Sequence, residues 1–288
     1  MATDARPVEA TDAESGRRWL ALARRHPELV LGLVIVALLI FTALFPFALT
    51  SHSPTDVDVA GALQPPSDEH LFGTDDVGRD IFARAVYGTR VTLSVVAGSL
   101  LISAVVGGLT GLIAGYAGRW LDMGAARLVD VILSFPPILL GVVITGVLGT
   151  GMVNLVAALA IVFLPVFFRI ARAGAIAEVG QTYVEAARAL GMPEPQILFR
   201  HVLRNVLPLV IMQYMILFPL ALQIEAALGF LGLGIQPPTP DWGAMLEQAK
   251  NYLLIAPWMS VFPGLFILTA ALGVILVGRG VQRIGDAG

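Results

Sequence analysis

Apolar residues run along this chain in long blocks, separated by polar stretches that are rich in turn formers. Leu29 to Leu49 is apolar for 21 residues, about 30 Å as a helix and enough to cross the hydrocarbon core of a bilayer. Further blocks run from Val91 to Gly115, Val131 to Leu148, Leu155 to Phe168, Val206 to Ala226 and Val261 to Gly278. The pattern predicts an all-α membrane protein with six transmembrane helices. Pro136-Pro137 breaks the third block near its start, and the fourth is short and carries Pro165. Interrupted and short spans suit helices that line a pathway, and they also arise as packing irregularities. In the second block Gly107, Gly111 and Gly115 recur every four residues. That spacing puts a groove on one helix face, where another helix, of this chain or of a partner, can approach closely.

The polar stretches carry their own signals. Residues 1–16 have no apolar period and read as a disordered tail. Residues 50–88 contain Pro54, Pro65 and Pro66, then Gly73-Thr74-Asp75-Asp76-Val77-Gly78-Arg79-Asp80. From the residues alone, that acidic run is a turn plus a helix N-cap. The following Ile81 to Tyr87 predicts a short amphipathic helix lying along the membrane surface. Residues 116–130 hold Arg119, Asp122, Arg127 and Asp130 and read as a surface connection. After the fifth block, Gly229-Phe230-Leu231-Gly232-Leu233-Gly234 leads into Pro237, Pro238 and Pro240, an extended loop. Gly243 to Leu254 is helix-like, with Trp242, Tyr252 and Trp258 expected at interfacial depth.

One charged segment stands out between the fourth and fifth blocks, Tyr183-Val184-Glu185-Ala186-Ala187-Arg188-Ala189-Leu190-Gly191. Thr182 is placed to cap it, with Glu185 three residues later at a capping-box spacing. Tyr183, Ala186, Ala187 and Leu190 fall at i, i+3, i+4 and i+7, one helix face. Gly191 suits the left-handed residue that stops a helix, and Pro193 blocks continuation. A short helix with an Ala-rich face between hydrophobic spans predicts close packing against another protein.

Composition then removes whole classes of function. The 288 residues are 57% hydrophobic and 14% charged, with no cysteine, which excludes disulfides, zinc–thiolate sites and thiol catalysis. The one lysine, Lys250, has no Gly-x4-Gly-Lys-Ser/Thr context, so the chain is not a P-loop ATPase. His26, His52, His70 and His201 are scattered without ligand spacing, and no metal site is expected. Nothing points to nucleic acid. Of the 18 Lys and Arg residues, 14 fall in the tail, residues 116–130, residues 169–205 and the C-terminal stretch. Arg79, Arg84, Arg90 and Lys250 fall in the alternate loops. The positive-inside rule therefore places both termini and the Glu185 helix in the cytoplasm. Segments 50–88 and 227–260 then face outside.

At this point the motifs become specific. Glu185-Ala186-Ala187-x3-Gly191 resembles the EAA motif of type I ABC importer permeases. Gly73-Thr74-Asp75-x2-Gly78-Arg79-Asp80, Phe135-Pro136, Phe199-Arg200-His201-Val202-Leu203 and Phe230-Leu231-Gly232-Leu233-Gly234 through Trp242-Gly243 resemble the second permease of the dipeptide/oligopeptide/nickel group. The resemblance runs from about residue 25 to 285. It departs at Leu203-Arg204-Asn205, where the family has Leu-Pro-Asn, at Gly229, and in the degraded pattern over 278–283. The resemblance implies a cytoplasmic tail over 1–28, a first transmembrane helix and extracytoplasmic segment over 29–88, and a type-1 transmembrane domain over 89–288 with its coupling loop at about 169–205. It further implies a second permease, two cytoplasmic ABC ATPases that bind ATP and Mg, and an extracytoplasmic substrate-binding protein, with no cofactor in this chain. Thr182, Tyr183, Glu185, Ala186, Ala187, Leu190 and Gly191 would form the ATPase contact. Gly73, Thr74, Asp75, Gly78, Arg79 and Asp80 would form the extracytoplasmic motif, and Glu225, Phe230, Gly232 and Gly234 are pathway or gate candidates.

Peptides are the expected substrate, with nickel chelates or glutathione-like molecules as alternatives. A stand-alone secondary transporter would need several ionisable groups inside its spans, and only Glu225 lies within one. A buried carboxylate there is costly unless paired. Arg79, Arg84 and Arg90 are the cations expected on its side, with Arg79 the first choice of partner; the other reading is that Glu225 faces water.

Overall fold

The structure, a computed structural model, describes residues 27–286. The tail expected over residues 1–16, and most of the segment 1–28, lies outside the described residues. Among those described, the chain is helical, with one isolated bridge between Thr74 and Asp80. Helix α1 spans Pro27–Leu44, α2 Ile81–Ala117, α3 Arg119–Leu133, α4 Pro137–Leu148, α5 Met152–Val179, α6 Thr182–Ala189, α7 Glu194–Ile197, α8 Leu203–Phe230, α9 Trp242–Ala249 and α10 Trp258–Asp286. A wide turn over Leu198–Val202 joins α7 to α8 without a break in the helical path. Helices α1, α2, α5, α7–α8 and α10 are long and apolar enough to cross a membrane; α3 and α4, bent by 92° at Ser134–Pro136, make a sixth span if taken together.

Several boundaries differ from the sequence reading. No separate surface helix forms over Ile81 to Tyr87. Those residues open α2, whose 37 residues extend about 55 Å, and Ile81, Ala83, Arg84, Ala85 and Val86 are buried under the outer segment. The fourth span is not short, because α5 runs 28 residues through Pro165 into the region read as polar. Residues 119–133 are a helix rather than an irregular connection. Arg204, where the resemblance implies proline, sits in the first turn of α8, and the chain enters the fifth span as continuous helix.

The core is the α2–α5 pair, flanked by α8, α10 and α9. Its closeness comes from the glycine stripe. A Cβ built at Gly107 would meet the Leu164 carbonyl oxygen at 2.5 Å, and one at Gly115 the Arg172 oxygen at 2.5 Å. At Gly111 it would lie 2.9 Å from Phe168 Cα. The groove is thus filled by this chain's own α5, and backbone approach supplies the packing that apolar burial cannot supply in lipid. Ser103 adds a hydrogen bond to the Ala160 carbonyl at 2.8 Å.

Candidate functional site

The stretch between α5 and α8 is built as a clamp around α6. The Gln181 carbonyl accepts from Val184 N (2.9 Å) and Glu185 N (3.3 Å), so Gln181, not Thr182, stands at the N-cap. The expected capping box does not form. Thr182 is the first helical residue, and Glu185 projects into solvent. At the other end Gly191 takes φ +76°. Met192 N donates to the Ala187 carbonyl at 3.1 Å and Gly191 N to the Arg188 carbonyl at 2.9 Å, the paired bonds that close a helix through a left-handed residue.

The buried face of α6 differs from the one the spacing predicts. Val184 and Ala187 are buried and pack with Ile197, Leu198, Val202 and Val206, and with Ala171 and Ala175 of α5. Ala187 therefore contacts its own chain. Tyr183, Glu185, Ala186 and Leu190 face outward, and Leu190 is 85% exposed. Sequence spacing identifies a face but not which of two overlapping faces the rest of the chain covers.

Side-chain contacts lock both ends of α6. The Tyr183 hydroxyl donates to Glu178 of α5. Asn205 Nδ2 of α8 donates to Glu178 at 2.9 Å and to the Tyr183 oxygen at 3.1 Å. Burial, and then the bond to Glu178, push the Tyr183 hydroxyl up to about 12. In the last turn of α6, Arg188 Nε pairs with Glu194 at 3.1 Å and the guanidinium carbon lies 5.6 Å over the Tyr116 ring, while the Tyr116 hydroxyl donates to Glu194. The exposed helix is thereby tied to α2, α5 and α8 together. Beside it, Tyr183, Arg200, His201, Arg204 and Asn205 line a cavity of about 410 Å³. Arg200 and Arg204 make no ion pair among the described residues. They were not singled out as site residues, although their i, i+4 spacing and the Arg204 departure were visible signals.

At the opposite end of the spans, the Gly73–Asp80 motif is a buried knot. The Asp75 carboxylate accepts from Val77 N (3.0 Å), Arg79 N (2.9 Å) and Arg79 Nε (2.6 Å). Arg84 Nε lies 3.6 Å from the same carboxylate. Arg79 and Arg84 both donate to Gln248 Oε1 of α9, at 3.4 and 3.3 Å, and Arg84 also to the Pro54 carbonyl at 3.1 Å. The Thr74 hydroxyl donates to Gly61 O at 2.5 Å and accepts from Gln64 N at 2.8 Å. Asp80 caps α2 through Ala83 N (2.6 Å) and holds His70 Nδ1 at 2.9 Å. Gly78, at φ +81°, sits against the Asp58 backbone, where a side chain has no room. The turn and N-cap read from the sequence are both present; the two arginines sharing one carboxylate were not foreseen.

Glu225 does not pair with Arg79. It is fully buried near the outer end of α8, and neither oxygen has a hydrogen-bond partner among the described residues; Arg79 is committed to Asp75 and Gln248. Nor does Glu225 face water. Its acidic neighbour is Asp241, which caps α9 through Ala244 N (3.0 Å) and accepts from Thr92 Oγ1 (2.8 Å). Trp242 is fully buried, with its indole N–H on the Ala85 carbonyl at 2.9 Å. Gly234 and Gly229 pack backbone to backbone, as do Gly229 and Gly243. Gly232, at φ +76°, ends α8 as Gly191 ends α6. Of the gate candidates, Phe230 alone projects a large side chain outward.

A bundle of five long apolar helices plus one bent pair, with a short exposed helix clamped between two of the spans, is the architecture of a multi-pass membrane protein. The chain belongs to the family described as binding-protein-dependent transport system inner membrane component, which matches residues 107–287. It is 43% identical to the dipeptide transport system permease protein DppC of Alkalihalophilus pseudofirmus, over 89% of this chain and 84% of that one. It is 39% identical to the di/tripeptide transport system permease protein DppC of Pseudomonas aeruginosa, over 88% and 86%. It is 35% identical to the glutathione transport system permease protein GsiD of Pectobacterium atrosepticum, over 93% and 89%.

Proposed function

We propose that this chain is one of two permeases of an ATP-driven importer that moves short peptides across the inner membrane. The observation that carries the substrate class is the similarity, over most of both chains, to permeases named for dipeptide and di/tripeptide transport. The partners follow from the implied architecture. A second permease completes the pathway, two ATPases hold ATP and Mg, and a binding protein delivers substrate to the outer face. Both ends of the chain then lie in the cytoplasm, in keeping with the distribution of its arginines.

Within that assembly α6 is the ATPase contact, with Gly191 as its stop. The exposed Tyr183, Ala186 and Leu190 offer an apolar stripe, and Glu185 offers a charge to a partner cation. Thr182 lies at the leading edge, and Ala187 supports the stripe from beneath. The clamp to α2, α5 and α8 would carry a displacement of α6 into the spans. The Gly73–Asp80 knot, with Gly73, Thr74, Asp75, Gly78, Arg79 and Asp80, holds the outer segment on α9 as a platform for the binding protein. Glu225, Gly232 and Gly234 shape the junction from which Phe230 projects toward the pathway.

The test is uptake into proteoliposomes carrying the complex co-expressed from this chain's own gene neighbourhood, with its binding protein. Labelled di- and tripeptides should accumulate in an ATP-dependent way, and a nickel chelate should not. Glutathione is the second reading, because the relative from Pectobacterium is a glutathione permease; accumulation of glutathione without dipeptides would select it. Accumulation of peptide without ATP would overturn the proposal.

A further inference from the structure

Helix α3 is the one long stretch that sequence reading treated as a connection, and its geometry assigns it a surface of its own. It meets α4 at 92°, while α4 and α5 form a hairpin through the turn at Gly149–Gly151. If α4 and α5 follow the membrane normal, α3 lies in the membrane plane. Two ion pairs set its depth: Asp122 binds Arg172, and Asp130 Oδ1 binds Arg169 at 2.7 Å. Arg169 and Arg172 lie about 26 and 30 Å along α5 from Met152, at 1.5 Å per residue. With Met152 at one face of a hydrocarbon core about 30 Å thick, both pairs sit at the other face, the one that carries α6. The two aspartates are about 12 Å apart along α3 but their arginines only about 4.5 Å apart along α5, as a steep crossing requires.

The three sides of α3 are chemically distinct. Val129 is buried and packs with Ala114 of α2 and Phe168 of α5, supported by Ala125 and Leu133. Asp130 lies on the polar side, and Asp122, at the edge of the buried one between Val129 and Leu133, reaches Arg172. Trp120, Leu128 and Val131 are 72%, 65% and 59% exposed and fall within an arc of about 80° at 100° per residue. That arc is continuous, through Phe135, with the exposed Ile138, Leu139 and Val143 of α4. A tryptophan beside an exposed arginine, here Trp120 and Arg127, is the pairing that suits the headgroup level.

We propose that α3 is an interfacial helix whose Trp120–Leu128–Val131 face is embedded in the lipid of the leaflet next to α6. It spans nothing. Its occupant is the headgroup–acyl boundary, and its ion pairs to Arg169 and Arg172 anchor α5 at that depth. Amphipathic helices of this kind bury their apolar side in the boundary region and keep their charges in water.

The absence of cysteine makes the measurement direct. Single cysteines replacing Leu128, Val131 and Met123, the last 50% exposed and about 100° around the helix from the centre of that face, carry nitroxides, in the full chain assembled with its partner subunits in nanodiscs. Labels at 128 and 131 should relax severalfold more strongly with oxygen than with a water-soluble nickel chelate, and the label at 123 should reverse that order. Low accessibility to both reagents at 128 and 131 would mean that a protein, such as the second permease, covers the face, and would overturn the proposal. Strong nickel relaxation there would place α3 in water and overturn it as well. A readout without labels uses the wild-type chain and W120F. Lipids brominated near the headgroup should quench emission that W120F lacks; equal fractional quenching of the two proteins counts against the embedding.

Discussion

Replacing Gly111 by alanine tests the reasoning about how this fold is held in lipid. The added methyl would lie 2.9 Å from both the Cα and the carbonyl carbon of Phe168 and nearer still to its carbonyl oxygen. Carbon atoms pack at about 3.5–4.0 Å, so α2 and α5 must part by roughly 0.6–1.1 Å. All three obstructing atoms belong to the backbone of α5, so no side chain can rotate away. Overpacking of this kind costs about 1–3 kcal/mol, and a clash with backbone belongs at the upper end. Alanine is better than glycine in a helix by about 1 kcal/mol, which offsets part of it. The net expectation is a loss of about 2 kcal/mol, more than tenfold in the folding equilibrium. Gly98 lies in the same helix with no atom within 4 Å of its virtual Cβ, so Gly98→Ala keeps the propensity gain without the clash and should be neutral or stabilising. The assay is reversible unfolding in bicelles, by steric trapping or SDS titration, of wild type, G98A and G111A. If G111A is as stable as G98A, the α2–α5 contact is looser than described and the glycine stripe serves another surface.

Three further outcomes follow from the contacts. Leu190→Ala should leave the folded chain intact but reduce ATPase coupling, whereas Ala187→Trp should destabilise the 184–206 cluster itself, seen as new protease sensitivity; a stable, assembled and active A187W protein would contradict the buried placement of Ala187. Gly191→Ala meets no neighbour, so it should cost only the strain of a left-handed alanine, about 1–2 kcal/mol, and a much larger loss of stability would reveal a contact absent here. Because Asp75 serves both Arg79 and Arg84, Asp75→Asn should cost more than Arg79→Gln, at about the 3–5 kcal/mol of a broken buried pair; Arg79→Gln should be additive with Glu225→Gln and non-additive with Asp75→Asn in thermal unfolding.

Some local signals in the sequence matched local structure, although the capping box expected from Thr182 and Glu185 did not form. The order of apolar blocks marked where the chain crosses the membrane, and Gly191 and Asp80 marked a helix end and a helix start, because stop and cap chemistry depends only on neighbouring residues. The motifs around Glu185 and Phe230 were enough to recognise the family. What needed the tertiary structure was every question of which face meets what. In lipid an apolar residue facing the core and one facing a lipid tail look alike in sequence, so the partner of the glycine stripe was ambiguous, while the buried face of α6 depended on which of two overlapping faces α5 and α8 cover. Charged residues were no easier. Asp122 and Asp130 read as a connection until Arg172 and Arg169, 50 and 39 residues on, were brought beside them. Arg79 chose Asp75 over Glu225 because a carboxylate four residues away, presented by a tight turn, requires no distant closure, while the place of Glu225 beside Asp241 was decided by how α9 packs on α8.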